Sequence, residues 1–133
     1  MTDANAVPTT PFEVIGGAPV VRRIVDRFYD LMDEPDYREL RDLHAPDLAP
    51  MRTSLTGFLT AWLGGPRDWF AEHPGKCVMS AHAGIPVSRK TAAQWTDAMR
   101  RAVLDCGVDA EFAARMSEAL TSMASGMIRR NAA

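Results

Sequence analysis

The sequence predicts an all-α fold. Apolar residues recur at helical spacing in each long segment, and nowhere does a two-residue alternation persist. Gly, Pro and capping residues also stand where helices start and stop. Residues 1–11 are polar and read as a loose leader, with 12–133 as one domain. Gly16 and Gly17 mark a sharp turn feeding a helix from Ala18. Its stripe is Val21, Val25, Phe28 and Met32, with Val20, Ile24 and Leu31 beside it, and Pro35 falls at or just past its end. Residues 36–43 fit one or two helical turns before His44, Ala45 and Pro46 break the pattern. A second long helix starts near Pro50, a good first-turn residue, and carries Met51, Leu55, Phe58, Leu59 and Trp62 on one face. Gly64-Gly65-Pro66 ends it.

Residues 67–87 read as irregular, with Pro74, Gly75, Gly84 and Pro86, and with room for one helical turn around Cys77–Ala81. A loop of that length inside a small domain is usually functional. Ser88 caps the next helix, whose stripe is Trp95, Met99, Ala102, Val103 and Cys106, and Gly107 closes it. Asp109 caps the last helix, with Phe112, Met116, Ala119, Leu120, Met123 and Met127 on its apolar face. Those methionines read as adaptable core.

Composition removes several classes of function. Of the 133 residues, 47% are hydrophobic and 24% charged, the balance of a soluble globule and not of a disordered chain. Fifteen Lys and Arg against seventeen Asp and Glu leave no basic face, so no nucleic-acid partner is expected. No apolar run approaches the roughly 20 residues of a membrane span, and no secretory signal opens the chain. Cys77 and Cys106 read as reduced, buried thiols, which places the protein in the cytoplasm. His44, His73 and His82 lack zinc-site spacing, and no phosphate-binding glycine loop or nucleophile-elbow motif is present.

A lone histidine says little, and a core or surface role is the commoner case. His82 has informative neighbours. It follows Cys77-Val78-Met79 and precedes Ala83-Gly84-Ile85-Pro86-Val87, a segment able to hold an imidazole against a flat apolar ligand. A neutral imidazole presented in that way is what a haem iron takes as its proximal ligand.

Several runs then carry a family resemblance. They are Gly16-Gly17 ahead of a helix ending Arg27-Phe28-Tyr29, the segment Leu43-His44-Ala45-Pro46-Asp47-Leu48, and the stretch from Phe58 through Trp62 to Gly64-Gly65-Pro66. His82 precedes Trp95 by thirteen residues. Over residues 12–128 the sequence resembles the truncated, two-over-two haemoglobins, and within them group II. The resemblance implies a truncated globin, a two-over-two helical sandwich around haem b. By it, His82 matches the proximal iron ligand, Tyr29 the distal tyrosine, and Trp95 the tryptophan whose indole N–H faces the distal side. His44 matches a position beside the bound ligand held by tyrosine, phenylalanine or histidine, and Met51 a distal position usually small in this group. A long thioether there departs from the pattern and bears on ligand entry and iron coordination. Many members carry several arginines before the proximal histidine, where this chain has only Lys76; Arg67, Lys76 and Arg89 are the candidates for propionate contacts. Each reads equally as a solvated surface cation.

The pocket implied comprises Phe28, Tyr29, His44, Met51, Leu55, Phe58, Arg67, Trp69, Phe70, Lys76, His82, Ile85, Val87, Trp95 and Met99. The apolar members read equally as helix-packing core. Tyr29, His44 and Trp95 are the donors on offer to a bound dioxygen, and a hydrogen bond to a charged acceptor contributes about 1.5–3 kcal/mol. Two such donors argue for retention over delivery. The partners implied are dioxygen and other diatomic ligands, with an unidentified reductase for nitric oxide dioxygenation or peroxidase-like turnover, and the chain is a monomer or homodimer. Two competing readings are a cofactor-free helical interaction domain and a haem sensor without turnover. The sensor would need an appended signalling domain, which is not expected from these 133 residues.

Overall fold

The computed structural model describes residues 10–68, 71 and 87–131, with side chains as far as Ser125, and no strand occurs among them. Helix α1 (Pro11–Ile15) starts one residue inside the segment read as leader. Thr10 caps it, the hydroxyl accepting the Glu13 N–H at 3.2 Å, and Pro11 sits where a missing N–H costs nothing. The chain then reverses through Gly16 and Gly17, at φ 113° and 79°. A side chain at Gly16 would be strained by that φ, and its Cβ would also stand 2.7 Å from the Val20 Cγ2.

Helix α2 (Ala18–Leu31) continues two residues past Tyr29, and Pro35 opens a single 3-10 turn (Pro35–Tyr37) that leads into α3 (Arg38–Asp42). Helix α4 (Ala49–Trp62) begins with Asp47 accepting the Ala49 N–H at 3.0 Å. Helix α5 (Arg89–Asp105) opens with a reciprocal capping box. The Ser88 hydroxyl accepts from the Thr91 N–H at 3.1 Å, and Thr91 Oγ1 accepts from the Ser88 N–H at 3.0 Å. Gly107 at φ 83° ends it, and Asp109 caps α6 (Ala110–Asn131) through the Phe112 N–H at 3.1 Å.

The helices pair as α2 with α4 and α5 with α6, and the two pairs meet where α2 lies on α5. That is a two-over-two sandwich. The α2 stripe is sealed at this junction, with Val21, Val25, Phe28 and Met32 all in the core beside Met99, Ala102 and Val103 of α5. Helix α1 is fastened to the far end of α4 by the Phe12 N–H to Leu63 carbonyl bond of 2.9 Å. Gly65 lets the Phe12 ring approach closely, since a Cβ there would stand 2.8 Å from it.

Asp68 and Ala71 are helical, with the Ala71 N–H bonded to the Arg67 carbonyl at 3.3 Å, so the start of the 67–87 stretch is regular where the sequence reads loop. Pro66 explains the difference. It terminates α4 but is also a permissive residue just ahead of a new helical turn.

Candidate functional site

Four aromatic rings from three elements form one connected run. Phe28 and Tyr29 are consecutive on α2, their ring centroids 5.0 Å apart at 66°. Phe28 also meets Trp95 of α5 edge-on at 5.1 Å, and Tyr29 meets His44, after α3, at 5.9 Å and 80°. Edge-to-face contacts of this kind fix ring orientation. The helical period puts Phe28 on the α2 face toward α5 and Tyr29 about 100° round toward α4.

Tyr29 is only 2% exposed. Burial pushes its hydroxyl pKa well above the usual phenol range, against the pull of Arg52, so the O–H keeps its proton. Among the described residues nothing hydrogen-bonds to that hydroxyl or to the Trp95 indole N–H. Among the described residues, both donors of the aromatic cluster thus have no hydrogen-bond partner.

His44 behaves differently. Its Nδ1 lies 2.9 Å from the Leu40 carbonyl oxygen, which can only accept, so Nδ1 carries a proton. In the neutral ring Nε2 is then an acceptor, and His44 donates from it only as the imidazolium. The sequence placed His44 among the ligand donors; its tertiary setting gives the neutral ring the opposite role.

Helix α4 supplies an apolar face that is not sealed. Leu59 is buried, but Leu55, Phe58 and Trp62 are only half-buried and Met51 is 38% exposed. An equally apolar stripe on α2 is fully covered, so the difference lies in what packs against each helix. Half-buried Val87 leads into α5, and Met99 is sealed in the core one turn after Trp95. Arg67 and Arg89 are exposed. Trp69, Phe70, Lys76, His82 and Ile85 lie outside the described residues, as do His73 and Cys77. Burial raises the Cys106 thiol pKa, in keeping with an inert core thiol. No group of His, Cys, Asp and Glu able to hold a metal ion occurs among the described residues.

Arg52 and Gln94 went unnoticed in the sequence. The Arg52 guanidinium donates to the Asp26 carboxylate at 3.0 Å, the Asp26 carbonyl at 3.1 Å and the Asp30 carboxylate at 2.9 Å, and lies 5.7 Å over the Tyr29 ring. It clamps α4 onto α2 directly above the tyrosine. Gln94 joins α5 to the 3-10 turn and α3. Its Oε1 accepts the Leu40 N–H at 3.0 Å, and its Nε2 donates to the Asp36 carbonyl at 3.0 Å and Glu39 at 2.9 Å. No local periodicity marks either residue, because each acts on a segment distant in sequence.

A half-covered apolar face beside two unspent donors fits a flat apolar group whose bound ligand accepts hydrogen bonds. The comparisons agree. The bacterial-like globin family model matches residues 10–129. A group 2 truncated haemoglobin of Bacillus subtilis, YjbI, is 28% identical over 101 residues, covering 76% of this chain and 74% of its own. The group II two-on-two haemoglobin of Agrobacterium tumefaciens superposes with a TM-score of 0.86 at 27% identity, covering 92% of this chain and 96% of its own. The group II truncated haemoglobin of Bacillus anthracis superposes with a TM-score of 0.82 at 31% identity, covering 91% and 97%. The chain belongs to the bacterial-like globins and, within them, to the group II truncated haemoglobins.

Proposed function

We propose that the chain binds haem b through His82 and retains dioxygen for redox chemistry on small ligands. The carrying observation is the pair of unspent donors, Tyr29 O–H and Trp95 N–H, set on either side of Phe28. When bound, haem would supply the iron at which dioxygen is taken up, and the electrons for turnover come from outside the chain. The apolar side chains of α4, with Ile85 and Val87, would keep water from the group, Trp69 and Phe70 would extend that wall, and the sealed core of Phe28 and Met99 backs it. Arg67, Lys76 and Arg89 are the cations that would hold the propionates. Met51, exposed near the start of α4, stands at the entry.

Tyr29 and Trp95 do the selective work. A bound dioxygen carries partial negative charge, and a donor aimed at it contributes about 1.5–3 kcal/mol, roughly ten- to a hundredfold in residence. Burial holds Tyr29 in its donor form through the physiological range. Long residence suits consumption of the gas. Dioxygenation of nitric oxide to nitrate takes up one electron per turnover, which a reductase supplies, and peroxidase-like turnover is the other redox reading. Family membership favours the haem reading over a cofactor-free interaction domain.

The test is spectroscopic and kinetic. Purified protein should show an intense haem absorption band, and His82→Ala should lose it. Tyr29→Phe and Trp95→Leu should each speed dioxygen release about tenfold or more. A colourless wild type in the presence of haem ends the proposal, and unchanged release in both variants ends the donor assignment.

A further inference from the structure

Gln94 makes three hydrogen bonds, all to the short segment that carries His44, and stands next to Trp95 on α5. Its Oε1 holds the Leu40 N–H at 3.0 Å, and the Leu40 carbonyl holds the Nδ1–H of His44 at 2.9 Å. The contacts close a circuit: Gln94 to Leu40, Leu40 to His44, His44 to Tyr29, Tyr29 to Phe28, Phe28 to Trp95, and Trp95 back to Gln94 along the helix. We propose that Gln94 is a positioning residue that, through Leu40, fixes the tautomer and placement of His44 against Tyr29.

The chemistry of the three bonds supports this assignment. An amide side chain can accept a backbone N–H at one atom while donating at the other. Gln94 uses both ends at once. The Glu39 carboxyl is drawn down to a pKa of about 2, first by the Gln94 amide and then by its own backbone and Lys90, so it remains an acceptor at neutral pH. Leu40 is buried, which keeps water from replacing Gln94 at its N–H. With Leu40 pinned, its carbonyl stays aimed at Nδ1, and the other nitrogen of the neutral ring is left as an acceptor. The donors toward a bound gas then narrow to Tyr29 and Trp95. Without the pin, His44 is freed to place its proton on Nε2 and add a competing donor.

The inference rests on the proposed haem function for its kinetic consequence, but its structural half is read separately. Nitrogen-15 NMR of the ferrous carbon-monoxide form should show His44 protonated at Nδ1 in wild type. Gln94→Met, of similar length but without hydrogen bonds, should give mixed tautomers and change the dioxygen release rate about fivefold, the scale of one ordinary hydrogen bond. That rate effect should vanish in a His44→Phe background. An unchanged tautomer in Gln94→Met, or a rate effect that persists with His44→Phe, would each overturn the proposal. If wild type takes up no haem, the functional reading falls, and the imidazole shifts of the haem-free chain still decide the role of Gln94.

Discussion

Replacing Arg52 with Met removes the charged clamp while keeping most of the aliphatic stem, so the change isolates the guanidinium. Its side chain is 24% exposed, against 41% for Asp26 and 60% for Asp30, which places both ion pairs near the surface. Each such pair contributes about 0.2–1 kcal/mol. The bond to the Asp26 carbonyl adds about 0.5–1.5 kcal/mol, and the guanidinium over the Tyr29 ring about 0.5–1 kcal/mol. The loss should total about 2 kcal/mol, or roughly 6–8 °C in Tm for a chain of this length. A sign follows for pH. Burial raises the Asp26 pKa, but hydrogen bonds from Arg52 and Arg22 outweigh it and hold the carboxyl below 3.8. A depressed folded pKa gives stability that is fully present above the unfolded value and fades as pH falls through the folded one. The Asp26 part of the clamp should therefore be constant from neutral pH down to about 4 and decline below that. Urea unfolding of wild type, Arg52→Met, Asp26→Asn and the double variant measures the coupling. No coupling at pH 7, or coupling unchanged well below pH 3.8, would refute the clamp.

Three further changes probe separate parts of the fold. Ser88→Ala removes half of the α5 capping box and should cost about 1 kcal/mol, read as a Tm fall of roughly 3–4 °C; no fall means that the cap is energetically idle. Gly65→Ala drives a methyl against the Phe12 ring and should cost about 1–3 kcal/mol, with faster proteolysis of the N-terminal segment as the second readout. Met51→Ala should quicken gas binding measured after flash photolysis while leaving stability nearly unchanged, because the side chain is already 38% exposed; an unaltered on-rate removes Met51 from the entry path.

The helices were legible in the sequence because their signals are local. The α2 stripe, the Gly16-Gly17 reversal, the Ser88 cap and the Gly107 stop each follow from residues within a turn or two. The 3-10 turn and α3 were legible only as a short helical stretch, since five residues of α3 carry too little periodicity to set its bounds. Individual site residues were legible through resemblance, yet their chemistry was not. His44 could be placed beside Tyr29, but its acceptor character depends on the Leu40 carbonyl, and Leu40 is held by a residue fifty-four positions away. Likewise the α4 stripe reads as core, and only the tertiary arrangement leaves it half covered.

The unspent donors also separate stability from function. No side-chain polar atom among the described residues is both fully buried and unpartnered, so the Tyr29 hydroxyl carries no such cost. With no hydrogen bond to another described residue it also adds little to the fold, and phenylalanine would serve stability about as well. Tyr29 packs its ring against Phe28 and His44, contacts that a phenylalanine ring reproduces. Tyr29→Phe should therefore leave the unliganded protein about as stable, while speeding dioxygen release about tenfold or more. Faster release at unchanged stability follows only if the hydroxyl serves the ligand. Should the variant instead lose stability by the amount of a broken hydrogen bond, with release unchanged, the hydroxyl is a structural group and the retention argument fails at its base.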